Sequence, residues 1–312
     1  MESYAYARFA AAEWGMLAGT AVTWGGSFLF MDLGLEHFAP PLIAFGRIAL
    51  GAATLALIPA AREPVPRSEW PQIALLGITW MAVPFLLLAI AQQWIDTGLA
   101  GMINATAPLF TALVGALFVR SLPSRLQGIG LVLGFLGVVA ISLPSVDGGS
   151  NLAGVLLVLA AAVLYGFAFN IAAPLQARRG SLPVTLRAML VAAVALLPAA
   201  VAGALQSSFG WGSLLAVVAL GTLGTGLAFV WFTTLIGRVG PSRAAVSIYF
   251  VPVVAVALGA AFLDERAHAA ALLGTAMVLG GAYLTSRARK PSPARPSPTA
   301  RPASAAPRAR GG

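Results

Sequence analysis

The sequence contains no cysteine and only two histidines, His37 and His268, in 312 residues. Without cysteine, disulfides and thiol chemistry are excluded. Neither H-E-x-x-H nor G-x-S-x-G occurs, so two common patterns for zinc hydrolases and serine nucleophiles are missing. Asp264 and Glu265 lie near His268, but in a short loop these residues are better explained as a helix cap with solvated charges than as a metal site. We therefore expect a protein that is not an enzyme and has no metal and no cofactor.

Charge is also scarce. Charged residues make up 9% of the chain and hydrophobic residues 59%, and the mean hydropathy is +0.88, whereas a soluble domain has about 25% charged residues. This small number of charges cannot cover a water-facing surface. The chain is therefore expected to be an integral membrane protein surrounded by the lipid bilayer. The net charge of +9 comes from short loops and the C-terminal tail. This distribution is a topology signal and does not indicate nucleic acid as a partner.

Long apolar stretches, by contrast, are abundant. A bilayer-spanning helix needs about 20 mostly apolar residues. Helices satisfy their own backbone, whereas membrane strands need a closed barrel with alternating polarity, which this sequence lacks. The segment 1–13 lacks the basic start of a signal peptide, so the first apolar run is expected to stay as a helix. The sequence predicts an all-α integral membrane protein with ten transmembrane helices. They cover residues 14–35, 41–60, 70–93, 98–119, 126–143, 152–174, 183–203, 211–235, 242–263 and 268–286.

Basic residues occur in every second connection between these helices. They are Arg8, Arg62, Arg67, Arg120, Arg125, Arg178, Arg179, Arg238, Arg243, Arg287, Arg289 and Lys290. The alternate loops hold acidic residues or no charge, apart from a lone Arg266. The positive-inside rule therefore places both termini of this multi-pass protein in the cytoplasm. The end of the chain has no large apolar residue, which predicts a disordered cytoplasmic tail over residues 287–312.

The chain also contains an internal repeat. Pro108 and Pro252 are 144 positions apart (252 − 108 = 144), and several glycines keep the same interval. The two copies cover residues 14–143 and 152–286, with five predicted helices each. Because five is odd, the second copy enters the membrane in the opposite orientation. Inverted repeats are common in secondary transporters, whose substrate site lies near the midplane between two halves that move against each other.

Several motifs resemble the drug/metabolite transporter superfamily, in its EamA-type branch. They are Trp24-Gly25-Gly26-Ser27-Phe28, Arg47, the Pro108 and Pro252 segments, and Phe262-Leu263-Asp264-Glu265-Arg266 with Gly274 nine residues after Glu265. The resemblance covers residues from about 14 to 286. It implies ten helices, two EamA repeats, a bacterial or organellar membrane, and the movement of small metabolites, often outward.

Both repeated prolines lie inside predicted membrane helices. Proline has no N–H, so Pro108 leaves the carbonyl of Asn104 without its helical partner, and Pro252 does the same to Ile248. Inside a bilayer, a freed carbonyl must face protein, water or substrate. Each proline is therefore either a kink or hinge on the transport pathway or a kink that only shapes packing.

Polar and aromatic side chains lie well inside several predicted helices. Trp24 and Ser27 share one face of the first helix, and Thr225 and Phe229 share one face of the eighth. We expect a substrate site lined by Trp24, Ser27, Trp80, Asn104, Tyr165 and Tyr249. The alternative for each residue is an interhelical hydrogen bond, worth about 0.6–2 kcal/mol.

Two arginines occupy matching positions in the repeats, Arg47 in the second helix and Arg187 in the seventh. An arginine at the centre of a membrane helix costs about 2.5–3.5 kcal/mol. Each therefore has either a structural role, with the side chain reaching the headgroups, or a role in gating or in binding an anionic group such as a carboxylate. Asp32 and Asp96 lie near helix ends, so proton coupling through a deep carboxylate has little support.

These features predict a secondary transporter that moves a small polar or amphipathic metabolite by alternating access. Outward transport and amino acids as the leading substrate class follow from the resemblance alone. The competing hypothesis is a membrane scaffold or sensor, for which an inverted repeat would not be needed. The sequence predicts no oligomeric state.

Overall fold

The computed structural model describes residues 10–119, 124–147, 152–239, 244, 246–266 and 268–287. These residues form helices and short connections, and no strand occurs among them. The all-α prediction is therefore confirmed. Arg8 and all but the first residue of the predicted tail 287–312 lie outside the described residues.

The helices follow the apolar stretches of the sequence. In chain order they are α1 (Ala11–Leu35), α2 (Pro40–Ala56), α3 (Arg67–Ala91), α4 (Thr97–Phe118), α5 (Arg125–Asp147), α6 (Leu152–Arg179), α7 (Ser181–Leu205), α8 (Trp211–Ile236), α9 (Val246–Phe262) and α10 (Ala269–Arg287). Among the described residues, five helices are long and apolar enough to cross a membrane, namely α3, α4, α6, α7 and α8. The apolar helices in α2, α5, α9 and α10 are shorter.

Helix boundaries follow local chemistry. Proline at the first helical positions is tolerated because the N–H it lacks would have no partner there, and α2 begins with Pro40 in this way. Between α6 and α7, Gly180 has a φ of 84°, a left-handed conformation that suits glycine. It lets two long helices turn within a single residue.

The third helix of each predicted repeat contains a π-helical segment. In α3 it covers Gly77–Ala82 and in α8 Thr222–Leu227. Glycine permits close packing at both: a Cβ at Gly77 would lie 2.8 Å from the Ala188 carbonyl oxygen, and one at Gly51 would lie 2.8 Å from Thr225 Cγ2. The π segment of α3 therefore packs on α7, and that of α8 packs on α2.

The helices pack in pairs that have the same pattern in the two halves. Helix α1 packs along α9 and α4 along α6, while α2 packs along α7 and α5 along α10. The α5–α10 contact is close because it is made by glycines. A Cβ at Gly137 would lie 2.6 Å from the Gly274 carbonyl oxygen, and a Cβ at Gly274 would lie 2.5 Å from the Gly137 carbonyl oxygen.

Large apolar side chains cover much of the outer surface. Phe135 on α5 is 67% exposed and Val194 on α7 is 73% exposed. Soluble proteins rarely expose extended apolar areas. Together with the apolar helices, this surface indicates a bundle whose outside faces lipid.

Candidate functional site

A cavity of about 160 Å³ lies inside the bundle. Helices from both halves of the chain contribute to its wall. The lining residues are Trp24, Ser27, Phe28, Arg47, Trp80, Phe85, Leu88, Asn104, Ala105, Ala107, Pro108, Tyr165, Phe169, Phe229, Phe232, Ile248 and Val251. Most of this wall is aromatic or aliphatic, with a few polar groups, as is typical of small-molecule sites.

Five of the six residues predicted for the substrate site lie in this wall. They are Trp24, Ser27, Trp80, Asn104 and Tyr165. Tyr249 is half-buried and does not belong to the lining, where α9 contributes Ile248 and Val251 instead. Successive residues of a helix point about 100° apart, so a helix that presents Ile248 and Val251 turns Tyr249 aside.

The two repeated prolines lie in different surroundings. Pro108 lines the cavity, and α4 is interrupted there: one helical piece ends at Asn104 and the next begins at Ala107. Pro252 is buried inside α9, which runs without interruption from Val246 to Phe262.

Arg47 reaches the cavity from the middle of α2 and is only 7% exposed. Its Nε donates a hydrogen bond to Thr225 Oγ1 at 2.9 Å. Its guanidinium carbon lies 3.9 Å from the centre of the Phe85 ring, which is a cation–π contact. Among the described residues, no carboxylate pairs with Arg47 and neither Nη atom donates a hydrogen bond. The guanidinium is thus oriented by its Nε and keeps its outer N–H groups for another partner.

Arg187, at the matching position of the second half, does not line the cavity. Its Nη1 donates to the carbonyl oxygens of Ala61 at 3.2 Å and Pro183 at 3.0 Å. Its Nη2 donates to the Glu63 carbonyl oxygen. These bonds fasten the short Pro59–Arg62 helix to α7. The two arginines therefore differ in their contacts, although they occupy matching positions in sequence.

Asn104 ends the first piece of α4 at the cavity wall. Its Oδ1 is buried and has no hydrogen-bond partner among the described residues. Because Pro108 has no N–H, the Asn104 carbonyl also lacks its usual helical donor. The break in α4 therefore leaves a backbone acceptor without its helical donor at a residue that lines the cavity, while the Asn104 Oδ1 is shielded within the protein.

Ser27 differs from Asn104, because its hydroxyl is already engaged. Ser27 Oγ donates to the Thr23 carbonyl oxygen of the preceding turn at 2.8 Å. It also lies against Gly224 of α8, where any side chain larger than hydrogen would collide with it. Ser27 therefore shapes the wall more than it offers a free donor.

A chain of aromatic rings surrounds these polar groups. Trp80 makes edge-to-face contacts with Phe169 at 5.9 Å and with Phe229 at 5.4 Å between ring centres. Trp24 lies 5.9 Å from Phe229, and Tyr165 stacks on Phe169 at 5.8 Å. Such contacts fix ring orientations and make a stable apolar surface.

Sequence reasoning did not select Phe85, Phe169 or Phe232 for the site, although all three line the cavity. One signal was available: Phe169 matches Phe28 in the alignment of the two halves, just as Tyr165 matches Trp24. No comparable pattern distinguishes Phe85 from other phenylalanines in the apolar helices.

One end of the bundle is held by Glu265, outside the cavity. Glu265 Oε1 accepts a hydrogen bond from the Thr97 N–H at 2.6 Å, and Oε2 accepts one from the Gly98 N–H at 2.8 Å. The first N–H groups of a helix have no acceptor within the helix itself. The Glu265 carboxylate supplies that acceptor, so it caps α4 and links this helix to the loop after α9. Burial raises the pKa of Glu265 above its ordinary value, while the two backbone hydrogen bonds oppose that shift.

Described ion pairs lie near connections that hold basic residues. Glu69 pairs with Arg178 at 3.3 Å and with Arg179 at 3.2 Å, and Glu13 pairs with Arg238 at 3.1 Å. All three arginines are well exposed, and such pairs contribute about 0–1 kcal/mol. They connect neighbouring helix ends and leave the cavity unaffected.

An apolar helical bundle that contains an aromatic cavity with a buried cation is what a membrane carrier for small molecules requires. Comparison with known proteins gives the family: the model of the EamA-like transporter family matches residues 14–143 and again 152–287. The chain belongs to this family, as the sequence motifs indicated. The members are transporters and not enzymes, so the protein works in a lipid bilayer on a small-molecule substrate.

Similar proteins cover nearly the whole chain. A probable terminal-alkyne amino-acid exporter of Streptantibioticus cattleyicolor is 30% identical over 88% of this chain and 93% of its own length. An uncharacterized transporter of Archaeoglobus fulgidus is 27% identical over 89% of this chain and 99% of its own. The uncharacterized inner membrane transporter YedA of Escherichia coli is 29% identical over 90% of this chain and 93% of its own. A crystal structure with 20% identity matches the fold over 89% of this chain and 97% of its own, with a TM-score of 0.60.

Proposed function

We propose that this protein is a secondary transporter that exports a small amphipathic metabolite, an amino acid or a close relative, across the cytoplasmic membrane. The observation that carries the proposal is the cavity inside the bundle, whose aromatic wall holds Arg47 and Asn104 and is built by both halves of the chain. The similarity to an amino-acid exporter supports the substrate class and the outward direction.

The proposal includes ten membrane spans arranged as two inverted five-helix repeats over 14–143 and 152–286. Matching helix pairs support it, because exchanging the two halves converts the α1–α9 pair into the α6–α4 pair. The π segments at Gly77–Ala82 and Thr222–Leu227 also recur in the third helix of each half. With the basic loops inside, both termini lie in the cytoplasm.

Alternating access follows from this arrangement. The cavity lies where α1, α2, α3 and α4 of the first half meet α6, α8 and α9 of the second. Relative movement of the halves would open it to one side at a time. Pro108 interrupts α4 at the cavity, and Pro252 lies at the matching place in α9, so both are candidate hinges.

Topology is testable because the chain has no native cysteine. Arg125 and Arg266 are exposed and follow matching helices of the two halves. In inverted repeats, a membrane-impermeant thiol reagent added to intact cells should label Arg266→Cys and not Arg125→Cys, and cell lysis should expose both. Labelling of both in intact cells would contradict the inverted arrangement.

Transport is tested with the purified full-length protein in proteoliposomes. A panel of labelled amino acids, sugars and amphipathic cations is assayed with and without a pH gradient. We expect saturable flux of amino acids, impaired by Trp24→Ala and by Tyr165→Ala but not by Trp211→Ala, because Trp211 is 71% exposed and lies outside the cavity wall. If folded protein moves no member of the panel, the transport proposal fails and a scaffold or sensor role is favoured.

A further inference from the structure

Two groups in the cavity wall lack the partners that their burial demands. Arg47 carries a positive charge that no described carboxylate balances. Asn104 has a backbone carbonyl whose usual helical donor is missing, because Pro108 has no N–H. Buried polar groups are normally paired, and a buried charge is costly unless it is paired. Both residues line the same cavity.

The geometry of Arg47 specifies the kind of partner. Thr225 Oγ1 occupies the Nε hydrogen, and the Phe85 ring covers one face of the guanidinium. The N–H groups on the two Nη atoms remain. They form a planar, two-pronged donor that matches the two oxygens of a carboxylate.

The break in α4 specifies a different partner. The Asn104 carbonyl lies at the C-terminal end of the helical piece Thr97–Asn104. The C-terminal end of a helix carries partial negative charge and favours a cation. In carriers with discontinuous helices, unwound carbonyls and helix C-termini bind cations in the same way.

We propose that the transported molecule carries a carboxylate, which Arg47 binds, and an ammonium, which the Asn104 carbonyl binds at the break in α4. The aromatic wall then encloses an apolar side chain. This inference rests on the proposed transport function and adds the recognition of the two charged groups. The inference also predicts that the cavity binds an amine without a carboxylate poorly, because the positive charge of Arg47 would then repel the ammonium without an anion between them.

Four probes with the same benzyl side chain test the inference. They are L-phenylalanine, L-phenylalaninamide, 3-phenylpropionate and 2-phenylethylamine. The first is labelled and its exchange is measured in proteoliposomes, with the others as unlabelled competitors. We expect 3-phenylpropionate to compete about tenfold more weakly than unlabelled phenylalanine, and the amide and the amine at least about thirtyfold more weakly, because each loses a hydrogen-bonded charge.

The outcomes separate this inference from the transport function. Saturable phenylalanine exchange that the amide or the amine inhibits as well as phenylalanine does would overturn the inference and leave the transporter. Flux of sugars or cations from the panel without phenylalanine exchange would also overturn the inference and leave the protein a transporter. Absence of flux for the whole panel would remove the transport function itself.

Variants assign the carboxylate to Arg47. In Arg47→Gln, we expect the KM for phenylalanine to rise at least about tenfold and the preference for phenylalanine over its amide to fall to about one. Arg47→Lys should retain part of the preference. Arg187→Gln is the matched control, because Arg187 bonds to loop carbonyls outside the cavity. Each preference is a ratio within one variant, so a lower yield of folded protein does not change it.

The lysine variant also keeps the test decisive if Arg47→Gln does not fold. A folded Arg47→Lys protein with the wild-type preference would overturn the role of Arg47, since lysine lacks the two-pronged donor. An unchanged preference in folded Arg47→Gln would overturn it as well.

Discussion

Arg47 and Thr225 join α2 to α8 beside the cavity through a hydrogen bond of 2.9 Å between Nε and Oγ1. The bond depends on the π segment Thr222–Leu227, in which the Thr225 hydroxyl donates to the Leu220 carbonyl oxygen at 3.0 Å. One hydroxyl thus accepts from the arginine and donates to its own helix. This arrangement holds the guanidinium in one orientation and makes Thr225 a positioning residue.

Replacing Thr225 by valine should therefore affect substrate binding more than turnover. Valine keeps the shape but removes the acceptor for Arg47 Nε, and an unpaired donor of this kind costs about 1–3 kcal/mol. We expect the KM for phenylalanine exchange to rise about three- to tenfold with a nearly unchanged maximal rate. Thr225→Ser keeps the hydroxyl and should behave like the wild type. A lower maximal rate with an unchanged KM in the valine variant would contradict the positioning role.

The glycine contact between α5 and α10 gives a prediction about stability. Gly137→Ala would place a Cβ 2.6 Å from the Gly274 carbonyl oxygen, so the helices must separate. Overpacking of this kind costs about 1–3 kcal/mol. Gly128→Ala, on the same helix but with nothing within 4 Å of its Cβ, should be neutral or slightly stabilising. Thermal unfolding in detergent compares the two, and equal unfolding temperatures would argue against a backbone contact at Gly137.

Glu265 gives a prediction about pH. Its two oxygens accept from two N–H groups, whereas glutamine offers one acceptor oxygen, so Glu265→Gln should lose about 0.5–2 kcal/mol of stability, as other helix caps do. Because the native pKa is raised above 4.5, the native state binds this proton more readily than the unfolded state. The contribution of this ionisation to stability therefore falls as the pH rises from 4.5 through the raised pKa.

The measurement is the unfolding temperature of wild type and Glu265→Gln across that pH window. The difference between them should depend on pH there and be constant well above it, because glutamine does not titrate. Asp264→Asn is a control from the same loop, since among the described residues no hydrogen bond or ion pair joins the Asp264 side chain to α4. Parallel curves for wild type and Glu265→Gln would show that Glu265 does not carry the pH dependence.

The sequence predicted much of this molecule because membrane helices are encoded locally. Apolar stretches of about 20 residues gave the helices, and short motifs such as Trp24–Phe28 gave the family. The same local signals placed Trp24, Trp80 and Tyr165 inside helices, and the structure gathers them at one cavity.

The remaining features depend on partners that are distant in sequence. Arg47 and Arg187 look equivalent along the chain, but Thr225 lies 178 positions from Arg47, and Arg187 bonds to a turn 124 positions before it. The cap on Thr97 comes from a residue 168 positions later. The π segments have no simple sequence signature, since glycine and threonine occur throughout these helices. Tyr249 was selected by its depth in the membrane, which does not fix the side of the helix on which it lies.

Pro108 and Pro252 look alike in sequence, but only α4 is interrupted among the described helices that contain them. Pro108→Ala restores an N–H that can bond to the Asn104 carbonyl and close the break in α4. We expect this variant to be at least as stable as the wild type, yet to transport phenylalanine about tenfold more slowly, because one acceptor for the ammonium and the flexibility of the break are both lost.

Pro252→Ala is the matched comparison and should change transport less, because α9 is already continuous. Flux and unfolding temperature are measured for both variants in the same preparation. If Pro108→Ala were more stable and also transported at the wild-type rate, neither the hinge nor the role of the Asn104 carbonyl in binding would stand. If both variants slowed transport equally, a shared hinge role of the two prolines would account for it, and the specific contribution of the break in α4 would be excluded.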